Sequence, residues 1–474
     1  MRQDNAAGLF CKGGKTMKRA KLLAMVLLPI ALMLASCVIV PTNSHVNLSN
    51  ADSRLPAPSP SSAAYVASND VRYDVDWRCR NQWSGSPPER SIDHCRAVPS
   101  RRDPNFIALA LSGGGSRAAV FSAAVMFELQ KRGILQQVDV VSSASGGSVS
   151  AARYAASCDD GQSCVPPVTP NLNRTVWKES IIYPLLQQNY IDRWRINCWR
   201  PENIVRYATY FDRTDVMAET FAEGLFGGTR DTEKSFLFRD LNPRRPYLIL
   251  NSTNNTDSAA VPEIFSFTEN DFSAIRSRLD LFPVAYGVAG SAAFPGAFHY
   301  VTLRNYSKPE EKFIHLMDGG VMDNLGLESL WRILLRDDGA RYRNVPVLVI
   351  VADAKPATRA KSEADYDPRS FWDYFVDFSN VQDTYSLLMV ENQRLRAREF
   401  EKYVKSRGNG LFIHLRFDAL KEQHKDLYEK VSSIPTNFKI CDEQALNLRK
   451  AAEILVDKAV AELRGNAYWR GIVN

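Results

Sequence analysis

The sequence has little of what metal and nucleotide sites require. Only six of its 474 residues are histidines, and its eight cysteines show no Cys-x-x-Cys or Cys/His spacing typical of a metal site. The glycine-rich stretch at 113–117 contains no Gly-Lys-Ser/Thr, which excludes a P-loop there. No repeat recurs at a fixed period. We therefore expect neither a metal nor another cofactor.

The chain also lacks an excess of basic charge once its beginning is set aside. The formal charge is +6, but residues 1–36 hold six basic residues and one acidic residue, which leaves about +1 for the rest. This balance does not predict a nucleic-acid partner. The 45% hydrophobic and 24% charged content is typical of a globular protein.

The longest apolar run lies near the N-terminus. Basic residues after Met17 precede an apolar stretch at 22–34, and the sequence Leu-Ala-Ser-Cys then ends at Cys37. This order is typical of a bacterial lipoprotein signal and is too short for a spanning helix. We expect residues 1–36 to be a signal peptide, with Met17 as an alternative start, and Cys37 to carry lipid. Val38 in place of Asp favours the outer membrane, facing the periplasm.

Composition divides the remaining chain into further parts. Residues 37–70 are rich in Pro, Ser, Ala and Asn and predict a flexible tether, whereas 71–104 form an N-terminal extension with two cysteines. Strand-like runs alternate with helical patterns at 105–355, which predicts an α/β domain with a mainly parallel sheet covered on both faces. An aromatic-rich helical insertion interrupts it at 172–245. We expect the mostly helical residues 356–474 to complete the domain, although a separate small domain is the alternative.

Six cysteines remain after Cys11 and Cys37 are set aside. An even number in an exported protein predicts up to three disulfides, among fifteen possible pairings. The local pairs Cys79/Cys95 and Cys158/Cys164 are the first choice. This leaves Cys198/Cys441 to tie the C-terminal region back, and the alternative is that some cysteines stay reduced.

The stretch VVSSASGGSVSAARY, at 140–154, predicts a strand, a sharp turn and a helix. Ser145 is followed by Gly146 and Gly147 and preceded by the small Ser143 two residues earlier. Small neighbours are what a nucleophile elbow needs, because larger side chains would clash with the adjoining strand and helix. Ser-x-Ser-Gly-Gly also occurs in linkers, but the strand before it and the helix after it favour an elbow.

A second glycine-rich turn follows the strand that begins near residue 105: Gly113, Gly114, Gly115, Ser116 and Arg117. Amides at the start of a helix lack internal partners and attract negative charge. A dinucleotide site is the competing interpretation, but it needs an acidic residue at the end of the next strand, and Asp139 begins that strand instead. Glycines that only permit close strand-helix packing are the third possibility.

A serine nucleophile needs a base. Asp318 follows a strand-like run and precedes Gly319 and Gly320, which would turn the chain sharply and present the carboxylate. A hairpin turn is the alternative, because Asp-Gly is common in turns. His315 is not aligned with Asp318 along the predicted strand. The other histidines that we considered have no motif around them: His299, His414 and His424.

The chain resembles the patatin-like phospholipase family over about residues 105–355. The resemblance is carried by three motifs in this order: G-G-G-x-R, a serine followed by glycines, and D-G-G. The blocks GVAGSAAFPGAF and LILNSTNNTDS are also similar to the family. The resemblance implies a patatin-like three-layer sandwich, Ser145 as nucleophile and Asp318 as its only base. It also implies an oxyanion hole built from residues 113–117. Ser143 departs from the pattern, because the family usually has glycine there.

We therefore predict a serine acyl hydrolase of the cell envelope, anchored in the membrane through Cys37 and acting on phospholipid or other fatty-acyl esters. The alternative is a catalytically silent patatin-like scaffold that binds lipid or a protein partner. A nucleotide-binding protein is disfavoured by the position of Asp139 and by export. The insertion at 172–245 predicts either a lid over the acyl channel or a simple buried cap.

Overall fold

The fold is taken from a computed structural model. It describes residues 105–161, 164–208, 211–227, 235–256, 261, 263–307, 313–335, 344–355 and 393–473. The predicted signal peptide, the lipidation of Cys37, the tether, the extension and the Cys79/Cys95 pair lie outside the described residues.

A single eight-stranded sheet forms the centre of the described chain. The strands are β1 (Phe106–Leu111), β2 (Val140–Ala144), β3 (Tyr247–Asn254), β4 (Ile264–Ser266), β5 (Val301–Arg304), β6 (Phe313–Asp318), β7 (Val347–Asp353) and β8 (Gly410–Arg416). Their order in the sheet is β5-β6-β3-β2-β1-β7-β8, and β4 also pairs with β3. The pairs from β3 through β2, β1 and β7 to β8 are parallel, whereas β6 runs antiparallel to both β3 and β5. The predicted mainly parallel sheet is confirmed.

Helices cover both faces of this sheet. They are α1 (Gly115–Lys131), α2 (Gly146–Ala155), α3 (Glu179–Leu186), α4 (Tyr190–Cys198), α5 (Pro201–Arg206), α6 (Arg213–Phe226), α7 (Glu269–Ala274), α8 (Val284–Ser291), α9 (Gly320–Asp323), α10 (Leu327–Leu334), α11 (393–406), α12 (Lys425–Ser432) and α13 (Asp442–Gly465). Within the described ranges, no helix combines the length and the apolarity needed to cross a membrane.

Strand β1 shows why the sheet needs two covering layers. All six of its residues are buried. Alternate side chains of a strand point to opposite faces, and Ile107 and Leu109 belong to one apolar core with α1, α2 and α13. Phe106 and Ala108 belong to a second core with α10 and α11. Because a strand that is apolar on both sides must be covered twice, this arrangement confirms the predicted three layers.

The region after residue 355 contributes to the same sheet. Strand β8 pairs in parallel with β7 along its whole length, from Gly410 to Arg416. Helix α13 packs against α1, and its buried Leu448, Leu455 and Leu463 join the core on that face. The helices α3 to α6 lie in the region predicted as an insertion, and the buried Trp177 just before them stacks on Phe127 of α1.

The disulfide predictions are partly right. Cys158 and Cys164 form the expected local bond. The pair Cys198/Cys441 is wrong, because Cys198 is a free thiol at the end of α4 whereas Cys441, just before α13, is disulfide-bonded. Sequence spacing carries no information on which distant cysteines meet, since that depends on how the helices pack.

Candidate active site

Ser145 occupies the sharp turn between β2 and α2. Its backbone has a φ of 47° and a ψ of −120°, a conformation that residues with side chains rarely adopt. The turn is held because the Ser145 amide donates to both the hydroxyl (3.0 Å) and the carbonyl oxygen (3.1 Å) of Ser291. A Cβ atom at position 146 would lie 2.1 Å from the carbonyl oxygen of Gly115, so Gly146 has to be glycine. Such strain is typical of a nucleophile elbow.

Ser145 and Asp318, which are 173 residues apart in sequence, are in direct contact. The hydroxyl of Ser145 donates a hydrogen bond of 2.8 Å to Asp318 Oδ2. The sheet register brings them together, because Ala144 pairs with Asn251 on β3 and the adjoining Ser252 pairs with Asp318 on β6. Only 7% of Ser145 and 4% of Asp318 are exposed. The contact is the one that the sequence predicted.

The turn after Asp318 fixes its carboxylate. The amide of Gly320 donates a 2.7 Å hydrogen bond to Asp318 Oδ1, which leaves Oδ2 for Ser145. A side chain at Gly319 would meet the carbonyl oxygen of Asn251, since an added Cβ would lie 2.2 Å from it. Burial raises the pKa of Asp318 to about 6, against the opposing effect of the hydrogen bonds from Gly320 and Ser145. The carboxylate is therefore a stronger base than an exposed Asp and is still mostly ionised at neutral pH.

The glycine-rich turn after β1 has two free amides. The amide of Gly113 donates to Asn324 O (2.9 Å), and the amide of Ser116 donates to Asn437 O (2.6 Å). Among the described residues, the amides of Gly114 and Gly115 have no acceptor. Both glycines have positive φ values, 138° and 58°. Carbonyl groups thus occupy the amides of Gly113 and Ser116 in the predicted oxyanion hole, whereas the amides of Gly114 and Gly115 have no acceptor in the described part of the chain.

Arg117 holds the glycine-rich turn from behind. Its buried guanidinium donates to Ala354 O (2.7 Å), Ile434 O (2.6 Å) and Thr436 Oγ1 (2.9 Å). Burial lowers the pKa of Arg117 to about 10, which the charge of Asp353 opposes, so the side chain remains charged at neutral pH. Arg117 therefore contributes to the shape of the turn through the backbone of two other segments.

Residues 433–441, which we call the strap, were missed by sequence reasoning. Asn437 lies so close to Gly115 that an added Cβ there would be 2.2 Å from the Asn437 carbonyl oxygen. Phe438 of the strap accepts a hydrogen bond from the amide of Ile191 and contacts the ring of Phe221 in α6. The strap thus joins the glycine-rich turn to the helical insertion. No motif in the strap signals this, because its contacts with the glycine-rich turn are mostly through backbone carbonyl groups.

Three buried serines form a hydrogen-bonded chain behind the elbow. Ser143 Oγ lies 3.0 Å from Ser148 Oγ, which lies 2.8 Å from Ser291 Oγ. Ser143 also donates to Ile249 O at 3.2 Å, and Ser291 donates to Asn251 O at 2.6 Å. The hydroxyl of Ser143, where the family usually has glycine, is therefore accommodated. Sequence reasoning singled out the block containing Ser291 but not this role.

In the described part of the chain, no histidine contacts Ser145 or Asp318. His315 points to the other face of β6, where its ring nitrogen lies 2.9 Å from Thr302 Oγ1, and burial lowers its pKa. His414 pairs with Asp353 at 3.1 Å. In the described part of the chain, no group of three or more His, Cys, Asp or Glu side chains is placed to hold a metal ion.

A separate cavity of about 370 Å³ lies beside β5 and does not include Ser145 or Asp318. Asp212 and Asp215 line it, and both also cap the start of α6: Asp212 accepts from the Thr214 amide and Asp215 from the Asp212 amide, each at 2.6 Å. Burial, followed by the charge of Asp212, raises the pKa of Asp215 to about 8. These acids have a structural role as helix caps.

The sequence matches a known family over the segment that carries this geometry. Residues 109–331 match the family model described as patatin-like phospholipase. This segment is a patatin-like phospholipase domain. The match confirms the predicted resemblance. No match was found among curated protein sequences.

The patatin-like domain and its surroundings are also similar to solved structures. One is human GIVD cytosolic phospholipase A2, with a TM-score of 0.44 and 12% identity; the similarity covers 88% of this chain and 65% of that one. The same protein in complex with methyl gamma-linolenyl fluorophosphonate gives a TM-score of 0.45 and 13% identity, over 84% and 63%. VipD from Legionella pneumophila gives 0.30 and 16%, over 75% and 67%. The chain thus spans about two thirds of the length of each.

Proposed function

We propose that the protein is a serine acyl hydrolase, a phospholipase A or lipid esterase, with Ser145 as nucleophile and Asp318 as its only base. The observation that carries this proposal is the 2.8 Å hydrogen bond from Ser145 Oγ, on a strained turn, to a buried carboxylate. Within the described residues, neither side chain contacts a histidine. The patatin-like domain supports a lipid ester as substrate.

The reaction follows from these positions. Asp318 Oδ2 accepts the hydroxyl proton while Ser145 Oγ attacks the ester carbonyl carbon, and the carbonyl oxygen becomes an oxyanion. The bond to the alcohol then breaks, and the alcohol leaves with the proton from Asp318. Water attacks the acyl-enzyme with Asp318 again as base, which releases the fatty acid and restores the Ser145 hydroxyl.

The oxyanion would bind the amides of Gly114 and Gly115. These amides are free in the described structure, and Gly115 lies directly against Gly146, next to the nucleophile. One oxyanion donor is typically worth about 3 kcal/mol in the transition state. This contribution matters here because a carboxylate with a pKa of about 6 is a slightly weaker base than a histidine imidazole, whose ordinary pKa is about 6.5.

The sequence before residue 38 bears on the position of the protein in the cell. We propose that Cys37 carries lipid and anchors the chain in the outer membrane, facing the periplasm, as its Leu-Ala-Ser-Cys context suggests. Metabolic labelling with a fatty acid should label the wild type and not Cys37→Ser. Labelling of both proteins would contradict the anchor without affecting the enzymatic proposal.

A serine-reactive fluorophosphonate probe tests the nucleophile. The full chain and Ser122→Ala should be labelled on Ser145, whereas Ser145→Ala should not be labelled. Ser122 is a matched control because it is fully buried and its hydroxyl has no partner in the described structure. Labelling of Ser142 or Ser148 would overturn the elbow assignment, and equal low hydrolysis of phospholipid vesicles by wild type and Ser145→Ala would overturn the enzymatic proposal.

A further inference from the structure

The side chain of Asn324 lies between the two turns that carry the candidate active site. A Cβ atom at Gly113, which begins the glycine-rich turn, would lie 2.2 Å from Asn324 Oδ1. A Cβ atom at Gly320, which closely follows the base, would lie 2.6 Å from the same oxygen. The carboxamide of Asn324 therefore occupies the space that side chains at these two glycines would fill.

The two reacting side chains adjoin the same space. The Cβ position at Gly113 is 3.1 Å from Ser145 Cβ, and the Cβ position at Gly320 is 2.9 Å from Asp318 Oδ1. The carboxamide of Asn324 thus lies beside both the nucleophile and the base. Sequence reasoning did not single out Asn324, because it follows Asp318 by six residues and lies beyond the Asp-Gly-Gly pattern.

The backbone around Asn324 is fixed on two sides. The Asn324 carbonyl oxygen accepts the 2.9 Å hydrogen bond from the Gly113 amide. Two residues later, the carbonyl oxygen of Gly326 accepts at 2.6 Å from Ser142 Oγ, on the strand that leads to Ser145. The position of Asn324 relative to the nucleophile is therefore set before a ligand binds, as stabilisation of a transition state requires.

The carboxamide of Asn324 has no hydrogen bond within the described part of the chain, and the residue is only half-buried. Asn251, on β3, shows the opposite arrangement. It is fully buried, its Nδ2 donates to Ser142 Oγ (2.9 Å) and Ser143 O (3.0 Å), and its Oδ1 accepts from Ser266 Oγ (2.9 Å). Because polar groups inside proteins are normally paired, the open carboxamide of Asn324 is suited to a partner from outside the chain.

We propose that Asn324 Nδ2 donates a hydrogen bond to the oxyanion formed at Ser145, as a third donor beside the amides of Gly114 and Gly115. This role rests on the proposed function, because it requires an ester to react at Ser145. An ester offers only acceptors, and negative charge develops on its carbonyl oxygen as Ser145 Oγ attacks. A donor beside Ser145 and the glycine-rich turn therefore binds this oxygen more strongly in the transition state than in the ground state.

A neutral donor suits this position better than a cation would. A Lys or Arg side chain beside Asp318 would stabilise the oxyanion, but its charge would also lower the pKa of the base. A carboxamide supplies hydrogens without that charge, so burial still raises the pKa of Asp318 to about 6.

Replacement of the carboxamide tests the donor through kcat. With a soluble p-nitrophenyl ester, Asn324→Ala should lower kcat by about 10²- to 10³-fold and leave KM within about twofold of the wild type. Asn466→Ala is the matched control and should keep the wild-type rate. Asn466 is also half-buried, but it lies after α13, where its Oδ1 accepts from the Tyr468 amide. Equal rates in Asn324→Ala and the wild type would overturn the role of Asn324.

Paired ketone inhibitors separate a donor from a residue that only shapes the site. Ser145 Oγ adds to the carbonyl carbon of a trifluoromethyl ketone, the carbonyl electron pair moves to the oxygen, and Asp318 takes the serine proton. The alkoxide resembles the oxyanion, whereas the methyl ketone of the same chain binds without this addition. In Asn324→Ala we expect the inhibition constant to rise about 10²- to 10³-fold for the trifluoromethyl ketone and to change by less than about twofold for the methyl ketone. An equal rise for both ketones would overturn donation.

Asn324→Asp provides a second test, which also decides the role if Asn324→Ala does not fold. Asp keeps the shape and Oδ1 of Asn but lacks the Nδ2 hydrogens, so kcat at about pH 8 should fall at least as much as expected for Asn324→Ala. A second carboxylate beside Asp318 should also move the inflection of the pH profile above about 6. Full activity of Asn324→Asp would contradict donation.

The variants keep this role distinct from the proposed function. Hydrolysis that Ser145→Ala abolishes and Asn324→Ala preserves would contradict the third donor alone. Absence of hydrolysis in the wild type would contradict the proposed function and, with it, the role of Asn324.

Discussion

Two buried aspartates, each at the end of a strand of the same sheet, have opposite properties. Asp318 ends β6 and Asp353 ends β7, and burial opposes the ionisation of both. Burial raises the pKa of Asp353, but the hydrogen bond and charge of His414, together with the amide and charge of Lys355, outweigh it. The pKa of Asp353 is therefore lowered. Asp318 has one amide and one serine hydroxyl, so its pKa is raised to about 6.

The difference explains why one carboxylate can accept a proton near pH 6 whereas the other is held as a structural anion. A buried acid with a cationic partner is stabilised in its charged form and gives little free energy on accepting a proton. A buried acid whose partners are neutral accepts a proton more easily. Asp353 also favours the charged form of Arg117, which shapes the glycine-rich turn, so the two acids serve the same site in different ways.

The largest expected effect is the loss of hydrolysis when either Ser145 or Asp318 is replaced. Ser145→Ala should lower kcat by about 10⁴-fold or more, and Asp318→Asn by about 10²- to 10⁴-fold. Asp353→Asn should keep most of the activity, because Asp353 does not contact Ser145. Hydrolysis of a soluble p-nitrophenyl ester measures all three. Equal losses in Asp318→Asn and Asp353→Asn would abolish the distinction between the two acids.

Stability should show the reverse order. Asp353→Asn removes the charge that pairs with His414, at 3.1 Å and mostly buried, and should lower the free energy of unfolding by about 2 kcal/mol. Asp318→Asn should change it less, because its partners are neutral and an amide oxygen can still accept from Gly320. Chemical denaturation measures both variants, and a larger loss for Asp318→Asn would contradict this assignment.

The pH dependence of hydrolysis sharpens the comparison further. Asp318 acts as a base only when it is ionised, and its pKa is raised to about 6. We therefore expect kcat/KM to be nearly constant above this value and to fall about tenfold for each pH unit below it. Rates on a neutral soluble ester give the profile. An inflection near pH 4, the ordinary value for Asp, would show that burial does not raise the pKa of the base.

The smallest effect concerns Ser143. Ser143→Gly removes the hydrogen bonds to Ser148 and Ile249 and places a flexible residue in β2, so the free energy of unfolding should fall by about 1 kcal/mol. Hydrolysis should stay close to that of the wild type, because the chain of serines lies behind Ser145. Thermal unfolding and ester hydrolysis measure the two quantities. A severe loss of hydrolysis with unchanged stability would show that this hydroxyl takes part in the reaction.

The sequence alone predicted a mainly parallel sheet covered on both faces and indicated Ser145 and Asp318 as a candidate pair. Runs such as FIALAL and VLVIVAD are too apolar for a strand with one exposed face, so they predict a sheet covered on both sides. Ser145 and Asp318 could be recognised in the sequence because each lies in a short local pattern, a strand followed by small residues. Local patterns of this kind depend only on backbone sterics and on the period of the strand.

Only the tertiary structure decided which groups complete the site. The strap reaches the glycine-rich turn from about 320 residues away, mainly through the backbone carbonyl groups of Ile434 and Asn437. Every residue has such a group, so no sequence pattern marks these contacts. The same reason explains why the amides of Gly113 and Ser116 are occupied, and why Cys198 and Cys441 do not pair. A local sequence pattern indicates the structure of its own segment. Which distant segments come into contact depends on how the helices and strands pack in three dimensions.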